Sequence, residues 1–265
     1  MIRQPPQLEG YRALTFDLDG TLYPSLPGLE AQFDASLKAT AMRVTRCSAA
    51  DVEHMLRIMR SRDRHAVQGL ARSSGTDPSM LLEEIYFRLD LDGVQENPVL
   101  ASILSALASH VRILVLTNSS RGHAERVLRH LGLHDLSIRI YGMEEAQYHL
   151  KPDPFVYRNF LSSQALASSE VLYFDDALGN IAAARSVGLS TVHVVRSPAC
   201  AGTADPWPST TDPAWTSDDI EGFLWRMLTA NSSTAPFLAL TGDGTEVESM
   251  GRCDSGVQRP WMEKQ

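Results

Sequence analysis

Short apolar runs that stop abruptly at polar or acidic residues recur along the chain, separated by stretches whose apolar positions follow a helical spacing. Tyr11-Arg12-Ala13-Leu14-Thr15-Phe16 reads as a buried strand ending at Asp17. Val111-Arg112-Ile113-Leu114-Val115-Leu116 ends at Thr117-Asn118, and Val171-Leu172-Tyr173-Phe174 ends at Asp175-Asp176. Ser137 to Tyr141 is a weaker strand candidate, and Thr191 to Val195 a fifth strand. Strands alternating with helices predict an α/β fold, a Rossmann-like parallel sheet with helices on both faces. The three strongest strands all end in polar residues, which puts candidate chemistry at one edge of the sheet, where open α/β sheets bind ligands.

Helix starts are well marked. Asn97-Pro98, Asp153-Pro154 and Asp77-Pro78 each pair an N-cap with proline at the first helical position, the last opening a helix over Met80 to Leu89. Ser48 with Asp51 precedes a helix over Val52 to Arg60, and Ser217-Asp218-Asp219 one running through Leu228. The helix after Thr117-Asn118 ends at Gly132, a left-handed cap. Between Leu26 and Leu100 no strand pattern occurs. That stretch is about 75 residues, far beyond the dozen or so a simple parallel crossover needs. The expected organisation is an α/β core from 1–25 and 101–228, an inserted α-helical cap over 26–100, and a mostly mobile tail over 229–265. Ser197 to Pro213, with four prolines, reads as loop.

Composition narrows the function. The 265 residues allow one large domain or a core with an insertion, and 43% apolar content supplies its interior. A net charge of -8 argues against coating a nucleic acid, so an anionic substrate must meet a metal ion or a few placed Lys and Arg. Cys47, Cys200 and Cys253 form neither a metal motif nor a disulfide framework, which fits a reducing compartment. No apolar run approaches the roughly 20 residues of a membrane helix, and Met1 to Glu9 lacks a secretion signal. The expectation is a cytoplasmic protein with no membrane partner.

Four segments carry chemistry: Asp17-x-Asp19-Gly20-Thr21, Thr117-Asn118, Lys151-Pro152-Asp153-Pro154 and Asp175-Asp176-x-x-x-Asn180. Singly, each has a bland reading as a strand end, a surface turn or a solvated acidic turn. In this order and placement, the set resembles the haloacid dehalogenase-like hydrolase superfamily, in its branch with a helical cap after the first strand, over residues 10 to 228. The resemblance implies that the first strand lies between the Thr117 and Asp175 strands, so that all four motifs meet in one crevice. It also implies a phosphoaspartyl mechanism, with Asp17 attacking phosphorus and Asp19 moving the proton. Mg²⁺ would be held by Asp17, the Asp19 carbonyl and Asp176, with Asp175 a supporting or alternate ligand; the doublet leaves that choice open. Thr117 and the backbone near Asn118 would bind phosphoryl oxygens, and Lys151 would neutralise phosphate and nucleophile. Asn180 would orient a water or an acidic side chain.

Asp19 favours a phosphatase or phosphomutase, because a dehalogenase has no use for a second carboxylate as proton donor. Phe16 to Pro24, His123-Ala124-x-x-Val127-Leu128-x-x-Leu131-Gly132-Leu133 and Phe174-Asp175-Asp176 look like the pyrimidine 5′-nucleotidase group, implying a nucleoside 5′-monophosphate substrate. Two features depart from that group: Gly20 stands where asparagine is usual, and the cap keeps only Gly69-Leu70 of an aromatic-Gly-Gly-Leu pattern. A sugar-phosphate phosphatase or phosphomutase on the same fold, and a weakly active regulatory or scaffold protein, are the alternatives. His65, His123 and His149 show no metal-ligand spacing and read as surface or structural residues. Arg57, Arg60, Arg62 and Arg64 make the cap locally basic, mostly as a solvated helix face. Oligomeric state is not legible.

Overall fold

The computed structural model describes residues 5–62, 65–195 and 214–230. The five apolar runs form β1 (Ala13–Phe16), β2 (Arg112–Leu116), β3 (Arg139–Tyr141), β4 (Val171–Asp175) and β5 (Ser190–Val194). A sixth strand, β6 (Trp215–Ser217), was not expected; three residues are too few to show a periodic pattern. All six pair in parallel in the order β3-β2-β1-β4-β5-β6. Every residue of the central strand β1 is buried, which is why its sequence is a continuous run rather than an alternating one. Phe16 is level with Val115 on one side and Phe174 on the other, so Asp17 and Asp175 leave neighbouring strands side by side.

Between β1 and β2 the described residues are helical: α1 (Leu29–Thr45), α2 (Ala49–Arg62), α3 (Ala66–Ser74), α4 (Pro78–Phe87) and α5 (Pro98–Ala108). The first four pack around their own apolar cluster, with Leu37, Val52, Leu70, Leu81 and Ile85 buried in it. The remaining helices are α6 (Arg121–His130), α7 (Pro154–Gln164), α8 (Leu178–Ser186) and α9 (Ile220–Ala230), the last running past the expected end at Leu228. Successive strand residues point to opposite faces. Leu14, Phe16, Leu172 and Phe174 pack with α5, α6 and α9. Ala13, Val171 and Tyr173 pack with α7 and α8. The proline-preceding caps form as expected: Asn97, Asp153 and Asp77 each accept a hydrogen bond from a first-turn N–H, at 2.9, 2.9 and 2.8 Å. Arg126 of α6 donates to the carbonyls of Tyr86 and Leu89 at 2.8 and 2.9 Å, tying the C-terminal end of α4 to α6. No helix is long and apolar enough to cross a membrane among the described residues. The whole of the expected loop over 197–213, the tail beyond Ala230 and Arg64 lie outside the described residues.

His65 caps α3, its Nδ1 accepting from the Val67 N–H at 3.2 Å. Burial, reinforced by the nearby Arg60 charge, lowers its pKa to about 4. The unfolded chain therefore binds this proton at a higher pH than the native one, so stability present above pH ~6.5 is lost as pH falls toward 4. His65→Asn, which keeps a capping side chain, should flatten the decline in Tm between pH 6.5 and 4; thermal melts of both proteins across that range check it.

Candidate active site

Because parallel strands end together, the sheet delivers Asp17 and Asp175 to the same place, and the loop before α7 brings Lys151 between them. The Lys151 Nζ is buried and donates to Asp17 Oδ1 at 2.6 Å, the Leu116 carbonyl at 2.9 Å, and Asp175 Oδ2 and the Tyr173 hydroxyl at 3.0 Å each. Asn118 holds the Lys151 backbone from both sides, accepting from its N–H at 2.7 Å and donating to its carbonyl at 3.1 Å. Burial works against the ammonium, but Asp17 and Asp175 outweigh it and raise the Lys151 pKa, so the side chain stays cationic. Burial raises the Asp17 carboxyl well above the ordinary range, with Lys151 opposing and Asp175 adding to the shift.

Asp175 has few lone pairs to spare. Its oxygens accept from Lys151, the Tyr173 hydroxyl, the Ala177 N–H at 2.8 Å and the Asn180 amide at 3.0 Å. Asp176 is more open, taking a long 3.4 Å hydrogen bond from Thr21. Burial and the neighbouring Asp175 raise its pKa to about 6. One oxygen from each of Asp17, Asp175 and Asp176 lies within 4.8 Å of the others. Three carboxylates facing one buried ammonium leave an excess of negative charge, and all the donors are hard oxygens; this set fits a Mg²⁺-type cation. Gly20 (φ 89°) turns the chain beneath Asp176, and a Cβ there would lie 2.8 Å from the Asp176 Cγ and closer still to Oδ2. That contact accounts for glycine at this position, where the nucleotidase pattern has asparagine.

Asp19 occupies a different environment two residues on. Its carboxylate accepts from the Tyr23 hydroxyl, from Ser119 Oγ at 2.7 Å and from His123 Nε2 at 3.3 Å. Burial alone would raise its pKa, but the hydrogen bond and charge interaction of His123, with the hydrogen bonds from Tyr23 and Ser119, outweigh it and lower it. Thr117 is buried at the end of β2, its Oγ1 accepting from the Ser119 N–H at 3.0 Å, which leaves the hydroxyl proton for another acceptor. Among the residues anticipated from sequence, Asp17, Lys151 and Asp175 are in direct contact, Asp176 stands beside them, and Asp19 sits among its own three donors. The Asn118 side chain is committed to Lys151, so any phosphate contact there falls to its main chain.

Of the expectation of a surface or structural histidine, His123 departs from the surface half: it is buried against Asp19. His149 and His65 do fill structural roles, His149 bonding Asp153 at 2.8 Å and stacking on Phe155. Tyr23 and Ser119 were not picked out as Asp19 partners either. Both flank motif residues in the chain, and that adjacency was the available signal. Arg60 pairs with Asp34 at 2.7 Å on the surface, as a solvated helix face would.

A family model for haloacid dehalogenase-like hydrolases matches residues 11–188. A phosphoglycolate phosphatase of Rhodospirillum rubrum is 29% identical over 194 residues, covering 68% of this chain and 78% of that protein. A fructose-1-phosphate phosphatase of Escherichia coli K12 is 25% identical over 191 residues, covering 70% of this chain and 97% of that protein. Among solved structures, a predicted phosphoglycolate phosphatase from Haemophilus somnus superposes with a TM-score of 0.51 at 23% identity, over 82% of this chain and 97% of that one; this similarity bears on the fold.

Removing the Lys151 ammonium leaves Asp17 and Asp175 buried without their cation, a loss that typically costs about 3–5 kcal/mol. Lys151→Met should lower unfolding free energy on that scale, read by urea denaturation at neutral pH. Gly20→Ala should leave the fold largely intact but displace Asp176, weakening Mg²⁺ binding at least several-fold by calorimetric titration.

Proposed function

The chain belongs to the haloacid dehalogenase-like hydrolases and acts on phosphate monoesters, and from that premise we propose that Asp17 is the nucleophile of a Mg²⁺-dependent phosphatase with Asp19 as its proton carrier. The observation that carries the proposal is the pairing of Asp17 with buried Lys151 at 2.6 Å while Asp19, two residues away, is held by a separate set of donors. Two nearby carboxylates in different environments can take different roles. A dehalogenase would give Asp19 nothing to do.

In this mechanism an Asp17 oxygen attacks phosphorus, the bond to the leaving oxygen breaks, and Asp19 gives that oxygen a proton. Water then attacks the phosphorus of the aspartyl phosphate, Asp19 takes its proton back, and inorganic phosphate leaves Asp17 free. Asp19 must be protonated to begin, and an anionic phosphoryl group beside it raises its proton affinity, as any nearby like charge does. Lys151 offsets charge on Asp17 and on the phosphoryl oxygens, and Thr117 donates to one of those oxygens. Asp17, Asp176 and the Asp19 carbonyl would hold Mg²⁺, with Asp175, its oxygens already engaged, as the buttress that fixes Lys151. When bound, the ion supplies charge neutralisation for the transferring group.

The nucleoside monophosphate expectation gives way here to small phosphorylated sugars and acids. The relatives described above are named for phosphoglycolate and fructose 1-phosphate, which supports that broader substrate class. Asp17→Asn should lower kcat by roughly 10⁴-fold or more, the scale seen when a covalent nucleophile is removed. Chelation of Mg²⁺ should abolish phosphate release, and added Mg²⁺ should restore it. Full activity in purified Asp17→Asn would sink the covalent mechanism.

A further inference from the structure

A cavity of about 360 Å³ opens at Asp19, a size suited to a small ligand. Tyr23, Ser119 and His123 line it beside Asp19; Leu26, Leu29, Phe33, Tyr86 and Leu89 supply its apolar wall, and Ser25, Gly28 and Glu30 complete it. Phe33, Tyr86 and His123 form a run of rings, with centroids 5.1 and 4.9 Å apart, that crosses from α1 through α4 to α6. The N-terminus of α1 also faces this space through Gly28, Leu29 and Glu30, and Gly28 contributes no capping side chain. A bare helix N-terminus attracts anions, but Glu30 in the first turn opposes that pull. No Lys or Arg lines the cavity among the described residues.

The phosphatase reading above places the leaving group beside Asp19, because the group that protonates the leaving oxygen must touch it, and so in the space onto which Asp19 opens. Resting on that reading, we infer that this cavity selects a neutral leaving group with an apolar face over one bearing a carboxylate. The selectivity follows from the lining. A carboxylate there would lose hydration, meet aromatic and aliphatic walls, and face Glu30 with no Lys or Arg among the cavity's described residues. The carbon-bound face of a sugar ring would lie on Tyr86 and Phe33 while hydroxyls reach the open rim. Fructose 1-phosphate fits this description and phosphoglycolate does not.

The test is kcat/KM by phosphate release for phosphoglycolate, fructose 1-phosphate and UMP, with wild-type protein and Glu30→Gln. Glu30 is exposed in the first turn of α1, so its replacement leaves the core untouched. The expected result is that at least one neutral compound exceeds phosphoglycolate by tenfold or more, and that Glu30→Gln narrows this ratio several-fold by freeing the positive end of α1. A preference for phosphoglycolate in wild-type protein, or a ratio unmoved by Glu30→Gln, overturns the cavity's selectivity while leaving the phosphatase intact. Absence of release from all three compounds overturns the phosphatase reading itself, and the leaving-group role of the cavity falls with it. Calorimetry on Asp17→Asn gives a second readout: fructose 1-phosphate or UMP should bind more tightly than phosphoglycolate, and the reverse order overturns the inference without reference to turnover.

Discussion

A single buried ammonium, that of Lys151, holds the catalytic end of the sheet together. An ion taken from water costs several kcal/mol unless its surroundings replace the lost hydration. Here Asp17, Asp175, Tyr173 and the Leu116 carbonyl do so, and they come from β1, β4 and the end of β2. The contact therefore ties three strands at their C-terminal ends. It also makes strand register a chemical matter: sliding β1 by one residue against β4 would take Asp17 off Lys151 and send Phe16 to the wrong face.

The same contact explains how a chain of net charge -8 can handle a phosphoryl group. The overall field of the protein repels anions, so attraction has to be local and fixed. Lys151 alone does not balance Asp17, Asp175 and Asp176, and burial leaves Asp17 and Asp176 with raised proton affinities. Asp19 is tuned the other way, by the hydrogen bond and the charge interaction of His123 first and by Tyr23 and Ser119 after it. One strand and the turn after it thus present two carboxylates whose proton affinities are pushed apart, in the sense opposite to that of a nucleophile and an acid; a cation on Asp17 and a phosphoryl anion beside Asp19 would each move its carboxylate the other way.

Much of this was legible in sequence for a physical reason. A parallel strand buried on both faces must be an unbroken apolar run, and chemistry can begin only where the run stops, so Asp17, Thr117 and Asp175-Asp176 stood out at strand ends. That α1 to α5 fill the chain between β1 and β2 was legible because no strand pattern occurs there. What escaped notice lacks a periodic or compositional mark. β6 is three residues long. Ser119, Tyr23 and His123 become partners of Asp19 only through tertiary contact, one of them 104 residues away in sequence. His123 looked bland because a lone histidine on an amphipathic helix is ordinarily a packing residue. Asn118 was placed at the right point of the fold, yet its amide serves Lys151.

The difference between the strand ends and the helices that lie between β1 and β2 also explains why the reaction class could be read from motifs while the substrate could not. Every group assigned to the phosphoryl transfer comes from the ends of core strands or the loops that follow them. The groups facing the remainder of the ligand, Phe33, Tyr86, Leu89 and Glu30, come from α1, α4 and its C-terminal flank, whose sequences are constrained mainly to pack against Leu37, Leu81 and Ile85. Packing asks only for apolar bulk of suitable volume, and many residues satisfy it. A few substitutions on these helices can therefore exchange one leaving group for another without disturbing Lys151, Asp17 or the sheet. Relatives 25–29% identical can share the chemistry and still differ in what they release from phosphate.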